Sequence, residues 1–79
     1  MYKVYVLKSI NYNRIYIGHT NDLSRRLKEH NFGKTKSTKG YKPWEILFVE
    51  DYKSRKKAIE RERYLKSGAG REFIKNKFM

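Results

Sequence analysis

The sequence predicts an α+β domain, a small sheet with helices packed against it. Short β-branched and aromatic runs recur at Tyr2–Leu7, Arg14–Gly18 and Trp44–Val49. Elsewhere apolar residues recur at helical spacing behind capping residues, Thr20-Asn21-Asp22 and Ser54. The 79 residues leave room for one domain, residues 1–79, with one small core. A chain this short buries only about 60% of its unfolded surface.

Tyr2 to Leu7 reads as a strand, Asn11-Tyr12-Asn13 supplies turn chemistry, and Arg14 to Gly18 reads as a second strand. The two should form an antiparallel hairpin. Period-2 alternation puts Tyr5 and Leu7 on one face of the first strand, and Tyr16 and Gly18 on one face of the second. Their mutual register is not set by sequence. Gly18 weakens a strand unless backbone must come close to something there.

Thr20-Asn21-Asp22 opens a helix that runs to about His30 or Asn31. Leu23 and Leu27 mark its buried stripe. His30 falls roughly 20° from Leu23, on the same stripe, and Arg26 borders it. Arg25, Lys28 and Glu29 point elsewhere. Phe32 to Pro43 reads as a loop holding Lys34, Lys36, Lys39 and Lys42, with Thr35, Ser37 and Thr38 interleaved. Its Gly-Lys-Thr is not a phosphate-binding P-loop, because the spaced upstream glycine is missing. Trp44 to Val49, mostly apolar, reads as a central or well-covered strand. Ser54 caps a second helix reaching about Lys66, which Ser67-Gly68-Ala69-Gly70 ends. Arg71 to Phe78 forms a short terminal helix. The expected core is Val4, Val6, Leu7, Ile15, Ile17, Leu23, Leu27, Trp44, Ile46, Leu47, Val49, Ile59 and Leu65.

Lysine and arginine total 20 against 8 acids, a formal net charge of +12. Such a charge points to phosphate polymers first and anionic surfaces second. The seven tyrosines add rings that can stack on exposed bases. The absence of cysteine excludes thiolate metal sites, redox motifs and disulfides. No signal peptide and no membrane span is expected, so the expected location is cytoplasmic.

Glu62 projects to the middle of the apolar face formed by Ala58, Ile59 and Leu65. A carboxylate there needs a partner. Either it pairs with an arginine such as Arg26 or Arg61, or it holds a cation, and a lone carboxylate suits Mg²⁺. Arg26 either covers the core edge with its stem or offers a fixed fork to a phosphate oxygen. His30 is either a satisfied core histidine or a base, proton donor or phosphate contact. His19 opens the first helix or touches phosphate. Tyr5 and Tyr16 are ordinary strand tyrosines taken singly, and a phenol with a pKa of about 10 is a poor base near neutrality. Arg25, Lys34, Lys36 and Lys39 are candidate phosphate contacts.

In this order, Val4-Tyr5, Tyr16-Ile17-Gly18, Arg26, His30 and Glu62 resemble the GIY-YIG nuclease domain over essentially the whole chain. The chain is most similar to that family's small stand-alone bacterial members. Val4–Ser9, Tyr16–Thr20, Arg25–Asn31, Lys36–Lys39 and Pro43-Trp44 carry that likeness. The resemblance implies a three-stranded antiparallel sheet flanked by helices, and DNA phosphodiester hydrolysis with one Mg²⁺ or Mn²⁺. It implies that Tyr5 and Tyr16 line the site, one of them activating water. It implies that Arg26 stabilises the transition state, that Glu62 holds the metal, and that His30 and His19 act as base or phosphate contacts. Lys3 stands where the family has its first glycine. Larger relatives use a separate DNA-targeting module, so this domain's own affinity should be electrostatic and weakly sequence-specific, with a protein partner able to supply targeting. The leading reading is a DNA endonuclease, with structure selectivity and a link to DNA repair or recombination as its expected context. The alternatives are a non-catalytic nucleic-acid-binding protein with the same fold and a basic RNA-associated protein. A core-facing carboxylate favours the nuclease, since binding alone does not need one.

Overall fold

The computed structural model describes residues 1–79. Three strands, β1 (Tyr2–Ser9), β2 (Ile15–Thr20) and β3 (Trp44–Tyr52), alternate with three helices, α1 (Leu23–Asn31), α2 (Arg55–Lys66) and α3 (Gly68–Phe78). The sheet is antiparallel throughout, in the order β2-β1-β3. The α+β class and the helix-flanked, three-stranded sheet are those expected.

β1 is central and buried on both faces. Val4 and Val6 join Ile17, Ala58, Leu65 and Ile74 in one cluster, beneath α2 and α3. Tyr5 and Leu7 join Trp44 in a second cluster, flanked by Tyr16, Leu23, Leu27 and Val49, on the α1 side. Strand alternation thus divides one short strand between two cores.

β3 departs from expectation. It lies at a sheet edge rather than centrally, and Ile46, expected in the core, is 42% exposed. The ladder is irregular here: Val6 faces Phe48 while Leu7 faces Ile46, so Leu47 is the extra residue of a bulge. Leu47 and Phe48 nevertheless pack on the α2–α3 cluster. Phe48 stacks on Phe78 with ring centroids 4.2 Å apart, tying the end of α3 to the sheet.

The helix starts follow side-chain capping chemistry. The Asp22 carboxylate accepts from the Arg25 amide at 3.2 Å and the Ser54 hydroxyl from the Lys57 amide at 3.1 Å. The segment Ser67-Gly68-Ala69-Gly70 ends α2 as expected, but it also begins α3, three residues earlier than the sequence suggests. Ser67 closes α2 and caps α3, its hydroxyl accepting from the Gly70 amide at 3.2 Å. The two helices can turn this tightly because Gly70 lies against α2. A Cβ there would sit 2.0 Å from the Tyr64 carbonyl oxygen and 2.4 Å from Leu65 Cα.

Gly70→Ala is therefore expected to destabilise the fold by roughly 1–3 kcal/mol or more, the cost of overpacking against backbone. Gly68→Ala, with nothing within 4 Å of its Cβ, should stay within about 0.5 kcal/mol of the parent. Denaturant unfolding of the two variants checks this, and equal stability of both would contradict the close-approach explanation.

Candidate functional site

Register brings the two tyrosines together. Tyr5 lies opposite Gly18 and Leu7 opposite Tyr16 on the β1–β2 ladder, so all four share the face toward α1. The absent side chain of Gly18 makes the space. A Cβ there would meet Tyr5 Oη at 2.8 Å, Tyr5 Cζ at 2.9 Å and Tyr16 Cε2 at 3.1 Å. The tyrosine rings lie 6.2 Å apart between centroids. From α1, His30 inserts against both, with its ring centroid 4.6 Å from that of Tyr16. Its Nε2 is 3.0 Å from Tyr5 Oη, and its Nδ1 is 2.9 Å from Thr38 Oγ1.

The two phenols differ in access. Tyr5 is 1% exposed and His30 wholly buried. Tyr16 is half-buried, and its hydroxyl has no partner in the chain and is open to solvent. Burial is the main reason the Tyr5 phenol is pushed up to about 12, with Arg26 pulling against it and Tyr16 and Glu62 adding to it. Burial and then the Arg26 charge hold the His30 imidazole below its ordinary value, so it is neutral near pH 7.

Arg26, on α1 one turn before His30, is within interacting reach of the Tyr5 hydroxyl. Its Nη1 meets Glu29 Oε1 at 2.6 Å. Burial opposes the guanidinium charge, but Glu29 and Tyr5 outweigh it and raise its pKa.

Glu62 belongs to the other face of the sheet. On β2, His19 alternates with Gly18 and points with Ile17 toward α2. There its Nδ1 meets Glu62 Oε1 at 2.5 Å. Lys66 Nζ meets Glu62 Oε2 at 2.6 Å. Neither arginine suggested by sequence pairs with Glu62. Arg26 holds Glu29, and Arg61 clasps Glu50 through two bonds of 2.9 and 3.1 Å. Burial alone would raise the Glu62 carboxyl, but Lys66 and His19 outweigh it and hold it below the usual range, so it is ionised. No cluster of three acidic, histidine or cysteine side chains exists for an all-protein metal cage. An ionised carboxylate 17% exposed, with one oxygen tied only to a half-exposed lysine, instead fits a hard cation that keeps most of its water shell.

The two faces meet at the end of β2. There His19, Thr20 and Asn21 line a pocket of about 350 Å³ with Tyr2, Arg25, Arg26 and Arg55. Of the residues singled out from sequence, it gathers His19, Arg25 and Arg26. Tyr5 and His30 lie beside Arg26, Tyr16 packs against those two rings, and Glu62 stands behind His19. Lys34 shares a groove along α1 with Arg25, while Lys36 and Lys39 are exposed and line no pocket. Sequence reasoning passed over Arg55, which its place after the Ser54 cap marks as a third arginine near a helix start. It also passed over Thr38, a loop residue whose complete burial is tertiary and carries no local signal. Lys3, where a glycine was expected, is an ordinary strand residue whose Nζ meets Asp51 Oδ1 of β3 at 2.5 Å.

The sequence model of the GIY-YIG catalytic domain matches residues 1–76. The UPF0213 protein YazA of Bacillus subtilis is 44% identical over 55 residues, covering 68% of this chain and 56% of that protein. The chain thus spans little more than half the length of that relative. The UPF0213 protein SERP0126 of Staphylococcus epidermidis is 33% identical over 73 residues, covering 91% and 88% of the two chains. The solution NMR structure of the UPF0213 protein BH0048 from Bacillus halodurans superposes with a TM-score of 0.58 at 30% identity, covering 98% of this chain and 85% of that one.

The buried imidazole makes stability depend on pH. An unfolded imidazole takes up a proton near pH 6.5, whereas folded His30 resists it. The unfolded state therefore binds more protons below about pH 6.5, and stability falls with acidification there. Denaturant midpoints measured from about pH 7.5 to 5 should decline, and less steeply in His30→Gln. A midpoint that rises toward pH 5 would contradict the assignment.

Proposed function

The chain belongs to the GIY-YIG family, and from that premise we propose that it is a metal-dependent DNA endonuclease hydrolysing phosphodiester bonds at the pocket where β2 meets α1. The observation that carries this reading is the convergence there of Arg25, Arg26 and Arg55 with His19, beside a solvent-facing Tyr16 and an ionised Glu62. The net charge of +12 draws a phosphate polymer to that surface. The arginines supply planar forks for its phosphate oxygens.

Arg26 takes the scissile phosphate. Glu29 holds its Nη1, and the guanidinium is within interacting reach of the Tyr5 hydroxyl. The charge it places against the equatorial oxygens is worth most as the phosphorus becomes five-coordinate. Tyr16 offers a free hydroxyl to orient the attacking water, a task that the buried Tyr5 cannot perform from its 1% exposure. Tyr5 and His30 act instead as a buried brace behind Arg26 and Tyr16. Arg25, Lys34, Lys36 and Lys39 contact flanking phosphates without reading bases, so affinity is electrostatic. Glu62 would hold Mg²⁺ or Mn²⁺, releasing Lys66 to do so. Such an ion would neutralise phosphate charge and make water more acidic. Branched or damaged DNA as preferred substrate, a link to repair and a targeting partner belong to the same reading.

The occupied state of Glu62 favours a second reading, a binding protein that keeps the fold without turnover. Its hydrogen bond with His19 and its ion pair with Lys66 satisfy the carboxylate unaided.

Nicking of supercoiled, branched and single-stranded DNA in Mg²⁺, Mn²⁺ or EDTA separates the two. Metal-dependent nicking is expected. Glu62→Ala should abolish it while binding survives in a mobility-shift assay, and Arg26→Ala should lower it by roughly 10²–10³-fold. Binding should weaken linearly in log K against log salt. Full cleavage by Glu62→Ala would remove the metal assignment, and no cleavage of any substrate would favour the binding protein.

A further inference from the structure

A chain of hydrogen bonds runs from the lysine-rich loop through the core to the candidate site, and its polarity follows from where each proton has somewhere to go. At one end, Tyr5 is 1% exposed, and the only acceptor of its hydroxyl in the chain is His30 Nε2, at 3.0 Å. Arginine donates and never accepts, so nearby Arg26 cannot take the phenol proton. Tyr5 therefore donates to Nε2, which must carry a lone pair. At the other end, Thr38 Oγ1 is 3.3 Å from the Thr35 carbonyl oxygen and donates to it. With its proton spent there, Thr38 accepts from His30 Nδ1–H at 2.9 Å. Both ends favour the same tautomer of a neutral imidazole, with the proton on Nδ1, and the preference is the sum of the two contacts. Nothing else touches the ring nitrogens.

We propose that Thr38 is a positioning residue: it fixes the His30 tautomer and so the direction in which Tyr5 presents its oxygen to the site. In this arrangement the Tyr5 proton points into the core, and its oxygen lone pairs are left facing the positive charge of the nearby Arg26. In the opposite tautomer His30 would donate to Tyr5. The phenol proton would then have only donors or the pocket before it, turned against the guanidinium. Thr38 is well held for this task. It is fully buried, its amide donates to the Thr35 carbonyl at 3.1 Å, and its carbonyl accepts from Trp44 Nε1 at 2.9 Å. The flanking Lys36 and Lys39 are exposed on the same loop, so the segment that would touch DNA phosphates also braces the tyrosine. The consequence for Arg26 rests on the proposed reading of Arg26 as the phosphate-binding group. The tautomer assignment does not.

Two readouts keep these apart. Nitrogen-15 NMR of the imidazoles reports the His30 tautomer directly, without any activity. The wild type should carry the proton on Nδ1, and Thr38→Ser should keep it there. Thr38→Val, which removes the hydroxyl, should shift the ring toward the Nε2–H form. A wild-type ring protonated on Nε2, or a Thr38→Val ring unchanged from wild type, overturns the proposal. If Thr38→Val does not fold, the wild-type and Thr38→Ser spectra still decide the tautomer. In the nicking assay, Thr38→Val should lose about a hundredfold in kcat, the scale of a small misplacement of catalytic groups, with KM little changed and Thr38→Ser restoring the rate. An altered tautomer with an unchanged kcat would show that the chain does not act on Arg26. If the wild type nicks nothing, the proposed function falls, and the Arg26 guanidinium resonances take over as the readout. They should then shift in Thr38→Val and hold in Thr38→Ser, and no shift in either would overturn the link to Arg26.

Discussion

The hydrogen bond between Tyr5 and His30 is the interaction on which the candidate site depends. β1 is buried on both faces, so a tyrosine in its middle places a hydroxyl where water does not reach. Such a group needs a partner inside the protein, and leaving it without one costs about 1–3 kcal/mol. His30 has the same need, and each residue satisfies the other. The bond pins the last turn of α1 to the central strand. One turn back along the helix that fixed point brings Arg26 to the pocket rim, and Gly18 leaves room for the Tyr5 ring beneath it. Glycine, tyrosine, histidine and arginine, far apart in the chain, thus answer one packing requirement.

Charge is distributed around this brace with few acids. Five of the eight carboxylates hold ion pairs, with Lys3, Arg25, Arg26, Arg61 and Lys66. Most of the twenty lysines and arginines are left free. Surface pairs of this kind contribute only about 0–1 kcal/mol each, so their main effect is on orientation. Glu29 holds Arg26 in place. Glu50 holds Arg61, which lies over the Phe73 and Tyr64 rings and is thereby occupied in joining α2 to α3. The arginines at the pocket have no comparable packing duty apart from Arg26.

What could be read from sequence was whatever depends on local chemistry. The strand runs, the Ser54 cap and the α2 boundary follow from residue type and spacing, and so does the shared face of Tyr16 and Gly18. The unread part depends on distant contacts. Ser67-Gly68-Ala69-Gly70 carries the composition of a terminator, and only the approach of Gly70 to Tyr64 and Leu65 makes it the start of another helix. β3 is apolar enough to be central, yet the tight β1–β2 hairpin fills one side of β1 and leaves β3 the other edge. Glu62 was recognisable as a carboxylate on an apolar helix face. Its partner came from the strand motif itself, through His19, because alternation turns that residue away from the tyrosines and toward α2.

Alternation puts the two tyrosines on one face, yet their roles differ. Both sit in strands and both are followed by apolar residues, so nothing local distinguishes them. Burial does. A phenol pushed up to about 12 by desolvation stays protonated at any working pH, and a phenolate there would be a buried charge whose lost hydration Arg26 offsets only in part. Tyr5 is therefore suited to hold and direct a proton. Tyr16, two register positions along on the edge strand, keeps a hydroxyl open to solvent. Under the proposed function the pair divides the work, the inner phenol fixing the guanidinium and the outer one meeting water. The edge position of β2 makes the division possible, since there one strand presents Tyr16 beside the Tyr5–His30 pair on one face and His19 to Glu62 on the other.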